Sequence, residues 1–95
     1  MSCLVGLLTM ELHIPGSQSL KEKRRVVHSL KERLQQRFNI SLAEVDFQDT
    51  WQHLRLAVAC VSNDGRQIES TFSHVLDLLS ADSRVELIAH DVAFR

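Results

Sequence analysis

The sequence predicts an α+β fold of the ferredoxin-like βαββαβ type, with a four-stranded antiparallel sheet in the order 4-1-3-2 and two helices on one face. Three observations predict it. Apolar residues alternate with a period of two in four stretches, recur at spacings of three, four and seven in two others, and the second and third strand-like stretches are separated only by a short polar turn.

The first stretch, SCLVGLLTMELHI, sets Leu4, Gly6, Leu8, Met10, Leu12 and Ile14 against Cys3, Val5, Leu7, Thr9, Glu11 and His13, a strand with one fully apolar face that Pro15-Gly16 ends. Leu20, Val27, Leu30, Leu34 and Phe38 then form one helical stripe, and Ser19 with Glu22 three residues on supplies a capping box at its start. NISLAEVDF and HLRLAVACV read as two strands joined by QDTWQ, so an antiparallel hairpin is the natural connection. Asn63 or Asp64 can cap a second helix whose apolar stripe is Ile68, Phe72, Val75 and Leu79. RVELIAHDV closes the chain as the last strand. These six elements account for the 95 residues, without repeat, low-complexity tract or linker, so residues 1–95 are expected to form one domain.

A composition 44% hydrophobic and 24% charged is that of an ordinary globular chain rather than a disordered or membrane-spanning one. No stretch reaches the apolar length of a bilayer span, and the first strand lacks the features of a signal peptide, which leads to the expectation of a cytoplasmic protein. Cys3 and Cys60 lie in apolar runs without C-x-x-C spacing and are expected to be buried thiols.

The net charge of −1 conceals an uneven distribution. Between Leu20 and Phe38 seven basic residues face only Glu22 and Glu32, a local charge of +5 that leaves −6 for the remainder. Lys21, Lys23, Arg24 and Arg25 also sit at the helix N-terminus, where the macrodipole disfavours cations. One explanation is a phosphate-bearing partner, with Lys21, Arg24, Arg25, Arg33 and Arg37 as its candidate contacts.

A second explanation is local. The predicted topology brings the end of the first strand, the start of the first helix, the hairpin turn and the start of the last strand to one edge, gathering the cations Lys21, Arg24 and Arg25 there with His13, Lys23, Glu44, Asp46, Asp49, Trp51 and His53, and with Arg84 as a further candidate. Lys23 falls on the apolar stripe beside Val27, so its ammonium either snorkels to water, the preferred reading for a lysine at an element end, or pairs with Glu44 or Asp46. Trp51, the one Trp of the chain, could anchor a partner, but packing over the end of the first helix is preferred.

The runs VGLLTMELHIPGSQSLKEKRRVVHSLKERL, RFNISLAEVD and DTWQ resemble the YlxP-like family, domain-of-unknown-function family 503, a group of small bacterial proteins. The resemblance spans the chain and implies a ferredoxin-like fold with no established activity. It also implies a gene neighbourhood of transcription and translation factors, which points toward RNA or the ribosome. The matching motif positions are His13, Ser19, Leu20, Lys21, Lys23, Arg24, Glu44, Asp46, Asp49 and Trp51, and none carries an assigned catalytic role.

Other chemistries known on such folds fit the residues poorly. The first and third strands lack the aromatic residues on which an RNA-recognition motif stacks bases. Two separated cysteines cannot hold an iron–sulfur cluster. HIPGSQS is not an acylphosphatase anion loop. His13, His53 and Asp49 could imitate a zinc set but lack local ligand spacing. The expectation is therefore no cofactor, no metal, no membrane association and no catalytic residue, in a binding module that associates with RNA or the ribosome. The alternative is a small-ligand or regulatory site at the polar edge. Val5, Leu7, Ala57, Ala59 and Ile88 are expected on the open face of the sheet, and covering that face predicts a homodimer.

Overall fold

The computed structural model describes residues 3–95. Strand β1 (Leu4–His13) is followed by helix α1 (Leu20–Arg37), strands β2 (Ser41–Asp46) and β3 (His53–Ser62), helix α2 (Gly65–Ser80) and strand β4 (Glu86–Phe94). All pairings are antiparallel and the order is β2-β3-β1-β4, which is the ferredoxin-like arrangement. The last strand runs two residues beyond the end expected from RVELIAHDV, because Val5 and Arg95 exchange backbone hydrogen bonds and hold the chain end to β1.

Alternation divides the sheet cleanly. Leu8, Met10 and Leu12 of β1 and Leu54, Leu56 and Val58 of β3 have no exposed surface and meet the helical stripes of Leu30, Leu34, Ile68, Val75 and Leu79. Burying each such side chain stabilises by roughly 1.5–3 kcal/mol, several times the value of an exposed ion pair, so these stripes rather than the charges hold the helices on the sheet. Gly6 sits where α2 crosses β1. A methyl group there would come within 2.3 Å of Ile68 Cγ2, so glycine is what allows the helix to seat so closely.

The caps are those the sequence specifies, with Asp64 rather than Asn63 chosen for α2, its side chain accepting from the Arg66 N–H. Two expectations need correction. Cys60 is buried, but Cys3 precedes β1 and is exposed, since no strand pairs over it. Ile88 is the extra residue of a bulge in β4, between Leu87 opposite Leu12 and Ala89 opposite Glu11, so alternation through Ile88 does not hold.

Candidate functional site

Helix α1 begins at a capping box in which Ser19 Oγ accepts from the Glu22 N–H and Glu22 accepts from the Gln18 N–H at 2.6 Å. This fixes the first turn and directs Lys23, one turn on, inward beside Val27. Its side chain is 2% exposed, which answers whether it snorkels. Nζ donates to the backbone carbonyl of Phe47 and lies 3.2 Å from Glu44 Oε2. That carboxylate oxygen is buried and outside hydrogen-bonding angles to the ammonium, so the pair is held by charge rather than by a directed bond. Glu44 reaches it because it lies opposite Leu56, on the helix side of the sheet.

The residues expected at one polar edge separate into two groups on opposite sides of the sheet. Lys23 and Glu44 lie under the helices. His13 and His53 are cross-strand neighbours on the open face, with ring centroids 5.3 Å apart, and His13 Nδ1 is 3.4 Å from Glu86 Oε2. Asp46 follows a β2 bulge onto the open face, where it accepts from Arg55 at 3.0 Å, and Glu11 stands 4.0 Å from the same guanidinium. Phe47 divides the two groups. Its φ of 65° turns the carbonyl toward Lys23, while its ring lies 5.7 Å from the His53 ring and 5.2 Å from the Arg55 guanidinium.

Trp51 remains outside both groups, and Asp49 lies on the Lys23–Glu44 side, lining one groove with both. Trp51 is 52% exposed, contrary to the preferred packed position, because Gln52 rather than Trp51 closes the loop by donating to the Pro15 and Ser17 carbonyls. Asp49 lines a groove of about 470 Å³ between α1 and the β2–β3 hairpin, whose other wall carries Arg24, His28 and Lys31. Among the described residues no three or more His, Cys, Asp or Glu are grouped so as to hold a metal ion.

The basic residues of α1 are also sorted. Arg33 reaches the opposite flank and donates to Asp82 at 3.0 Å. Asp82, with a side chain only 4% exposed, accepts in addition from Arg84 Nε at 3.0 Å and Nη2 at 2.7 Å, and Arg84 Nη1 donates to Ser29. The hydrogen bonds from Arg84, outweighing the upward push of burial, hold the Asp82 carboxyl at about 2 against its ordinary 3.8. Lys21, Arg24, Arg25, Lys31 and Arg37, among the described residues, have no carboxylate within 4.0 Å. At about 100° per residue, Lys21, Arg24, Arg25 and Lys31 share an arc of about 120° with His28, while Arg37 falls on the other flank beside His74 and Asp77.

Residues 5–92 match the profile of the family described as protein of unknown function, DUF503. The chain belongs to the DUF503 family. It is 35% identical over 83 residues to the uncharacterized protein YlxP of Bacillus subtilis (strain 168), covering 87% of this chain and 90% of that one. The de novo designed protein Foldit4 superposes with a TM-score of 0.55 over 99% of this chain and 97% of its own, at 14% identity, a likeness of fold alone.

Membership in DUF503 fixes the family without assigning a residue a role, so the geometry carries the functional argument. Sequence reasoning missed Phe47, Arg55 and Asp82, the carboxylate that holds Arg84. Arg55 was legible in principle, as the outward member of HLRLAVACV beside an acidic neighbouring strand. The left-handed turn at Phe47 had no signal, since glycine or asparagine normally marks such a position.

Proposed function

We propose that the protein is a non-enzymatic binding module that takes the phosphate backbone of RNA on the outer surface of α1, through Lys21, Arg24, Arg25 and Lys31. The observation that supports this reading is the sorting of the helix's cations. Lys23 and Arg33 have carboxylate partners, whereas these four stand together without one. A row of unmatched cations on one helical face raises the local concentration of a polyanion and gains from counterion release on contact. Glu44 and Asp49 line the adjoining groove and would repel phosphate, so the contact is confined to the outer surface of the helix.

This contact would be to backbone rather than bases, since the proposed surface on α1 carries no Phe, Tyr or Trp, and the rings of His13, His53 and Phe47 lie on the other side of the sheet. The polar-edge alternative is weakened because its residues lie on two sides of the sheet and Lys23 is directed to Phe47 and Glu44. Filter binding to ribosomal RNA over a salt series tests the proposal. Four phosphate contacts give a log–log salt slope of about −3 to −4. Arg24→Glu with Lys31→Glu should lower affinity more than ten-fold, and Arg37→Glu with Arg66→Glu, an equal change of charge elsewhere, less than three-fold. Equal losses from both pairs, or binding indifferent to salt, would overturn it.

A further inference from the structure

The open face of the sheet has a pattern that goes beyond nucleic-acid binding. Residues paired across strands share this face, so it can be read in rows. Val61 and Val5 form the first row. Ser41, Ala59, Leu7 and Ala93 form the second, and Ala43, Ala57, Thr9 and Asp91 the third. The fourth sets Arg55 beside Glu11 and the fifth His53 beside His13. The face is thus apolar and small at one end and polar or charged at the other, with one guanidinium and one carboxylate on its two central strands.

We propose that this face is the interface of a homodimer whose two-fold axis runs parallel to the strands, between β1 and β3. That axis lays each row on itself and places β1 of one copy on β3 of the other. Val5 then meets Val61 of the second copy, Leu7 meets Ala59, Thr9 meets Ala57, and Glu11 meets Arg55. Every contact occurs twice, as an isologous interface requires. Large residues fall on small ones, and each carboxylate falls on a guanidinium, closing a ring of four alternating charges at one end of the interface.

The alternative face-to-face axis, perpendicular to the strands, would set the fourth row against the second. It would bury Glu11 and Arg55 against Leu7 and Ala59, where neither charge gains a new partner. The remaining carboxylates of the face, Asp46, Glu86 and Asp91, lie on the outer strands β2 and β4, in the position of a polar rim. Four strands about 4.8 Å apart and nine or so residues long present roughly 600 Å² in projection. This approaches the roughly 800 Å² of accessible surface that each partner of a stable dimer covers.

Sedimentation of the full chain, with a mixing experiment, tests the axis. The wild-type chain should be a dimer. Glu11→Arg and Arg55→Glu, each alone, set like charges across the interface and should weaken self-association at least ten-fold. An equimolar mixture should recover a heterodimer, because each protomer then supplies the sign the other lacks. The like-charge pair that each variant creates within its own chain is unchanged by mixing, so recovery reports the contact between copies alone. Should either variant fail to fold, Ala57→Arg, which leaves the in-chain pair intact and enlarges the centre of the face, should give a folded monomer by circular dichroism and sedimentation. A monomeric wild type, a dimer that tolerates Ala57→Arg, or two folded variants that do not recover on mixing would overturn the proposal. An edge-to-edge dimer through β2 or β4 would give the second of these results.

Discussion

Lys23 and Asp82 are the charged residues with almost no solvent exposure among those described, and they fasten opposite flanks of α1 by different means. Lys23 carries its charge inward from the helix to a neighbouring strand, where one carboxylate and one backbone carbonyl receive it. Asp82 stays on the loop before β4, and two guanidinium groups come to it with three directed hydrogen bonds. A planar fork matches a carboxylate's lone pairs, whereas an ammonium meets Glu44 as a point charge. The second flank should therefore be the stronger fastening, and the first the replaceable one.

The largest expected effect follows from removing the centre of the stronger cluster. Asp82→Ala leaves Arg33 and Arg84 facing each other and frees the Arg84 N–H that Asp82 also accepts. Arg33 and Arg84 are partly exposed and keep some hydration, so the loss of the ion pairs and of the bond to the Arg84 N–H should come to about 2–3 kcal/mol, which for a chain of this size lowers Tm by about 10–15 °C. A loss under about 1 kcal/mol in a thermal melt would mean that both arginines turn to water at little cost, and the contrast between the flanks would disappear.

The same cluster sets an acid limit. The Asp82 carboxyl lies at about 2 in the folded chain against 3.8 ordinarily, so the unfolded chain binds the proton more readily. Its contribution is complete above about pH 4 and is lost as the pH falls from 3.8 toward 2. It amounts to at most about 2 kcal/mol, since Arg33 and Arg84 are themselves partly exposed. Urea unfolding at pH 5 and pH 2.5 should show this part of the acid destabilisation in the wild type and not in Asp82→Asn.

Lys23 should matter less. Lys23→Met keeps the length of the stem and leaves Glu44, 23% exposed, able to turn outward, so a loss of about 1–2 kcal/mol is expected. Adding Glu44→Leu should recover it or exceed the wild type, because well-packed apolar pairs often replace a buried ion pair without cost. If the double variant is worse than Lys23→Met in denaturant titration, Glu44 has a role in the hairpin that the ion pair does not explain.

The two flanks also differ in how far they could be read from the sequence. Lys23 was legible only in part: helical periodicity places a cation on an apolar stripe with Glu44 and Asp46 as the two nearest carboxylates, but a lysine at an element end more often snorkels to water, and only the packing of the hairpin decides for the pair. Asp82 gave no such sign, since a loop has no period and its two arginines come from α1 and from two residues ahead. The six elements and strand order followed from alternation and stripe spacing, which depend on local geometry alone. The separation of His13 and His53 from Lys23 depended on which side of the sheet each residue faces after a bulge, and neither bulge, at Val45 or at Ile88, is marked by glycine or proline.

Phe47 gives the finest test of whether the two polar groups are independent. Its left-handed backbone costs a non-glycine residue about 1–2 kcal/mol, and Asn tolerates that conformation better. Phe47→Asn would regain part of this cost and lose a ring contact with Arg55 of about 0.5–1 kcal/mol, so the net change should stay below about 1 kcal/mol in either direction. The carbonyl that receives Lys23 belongs to the backbone and survives the substitution. Phe47→Asn and Lys23→Met should then add within about 0.5 kcal/mol, as substitutions in separate networks do. A larger coupling in a double-mutant cycle would mean that the ring holds the carbonyl in place, joining the groups above and below the sheet into one unit through Phe47.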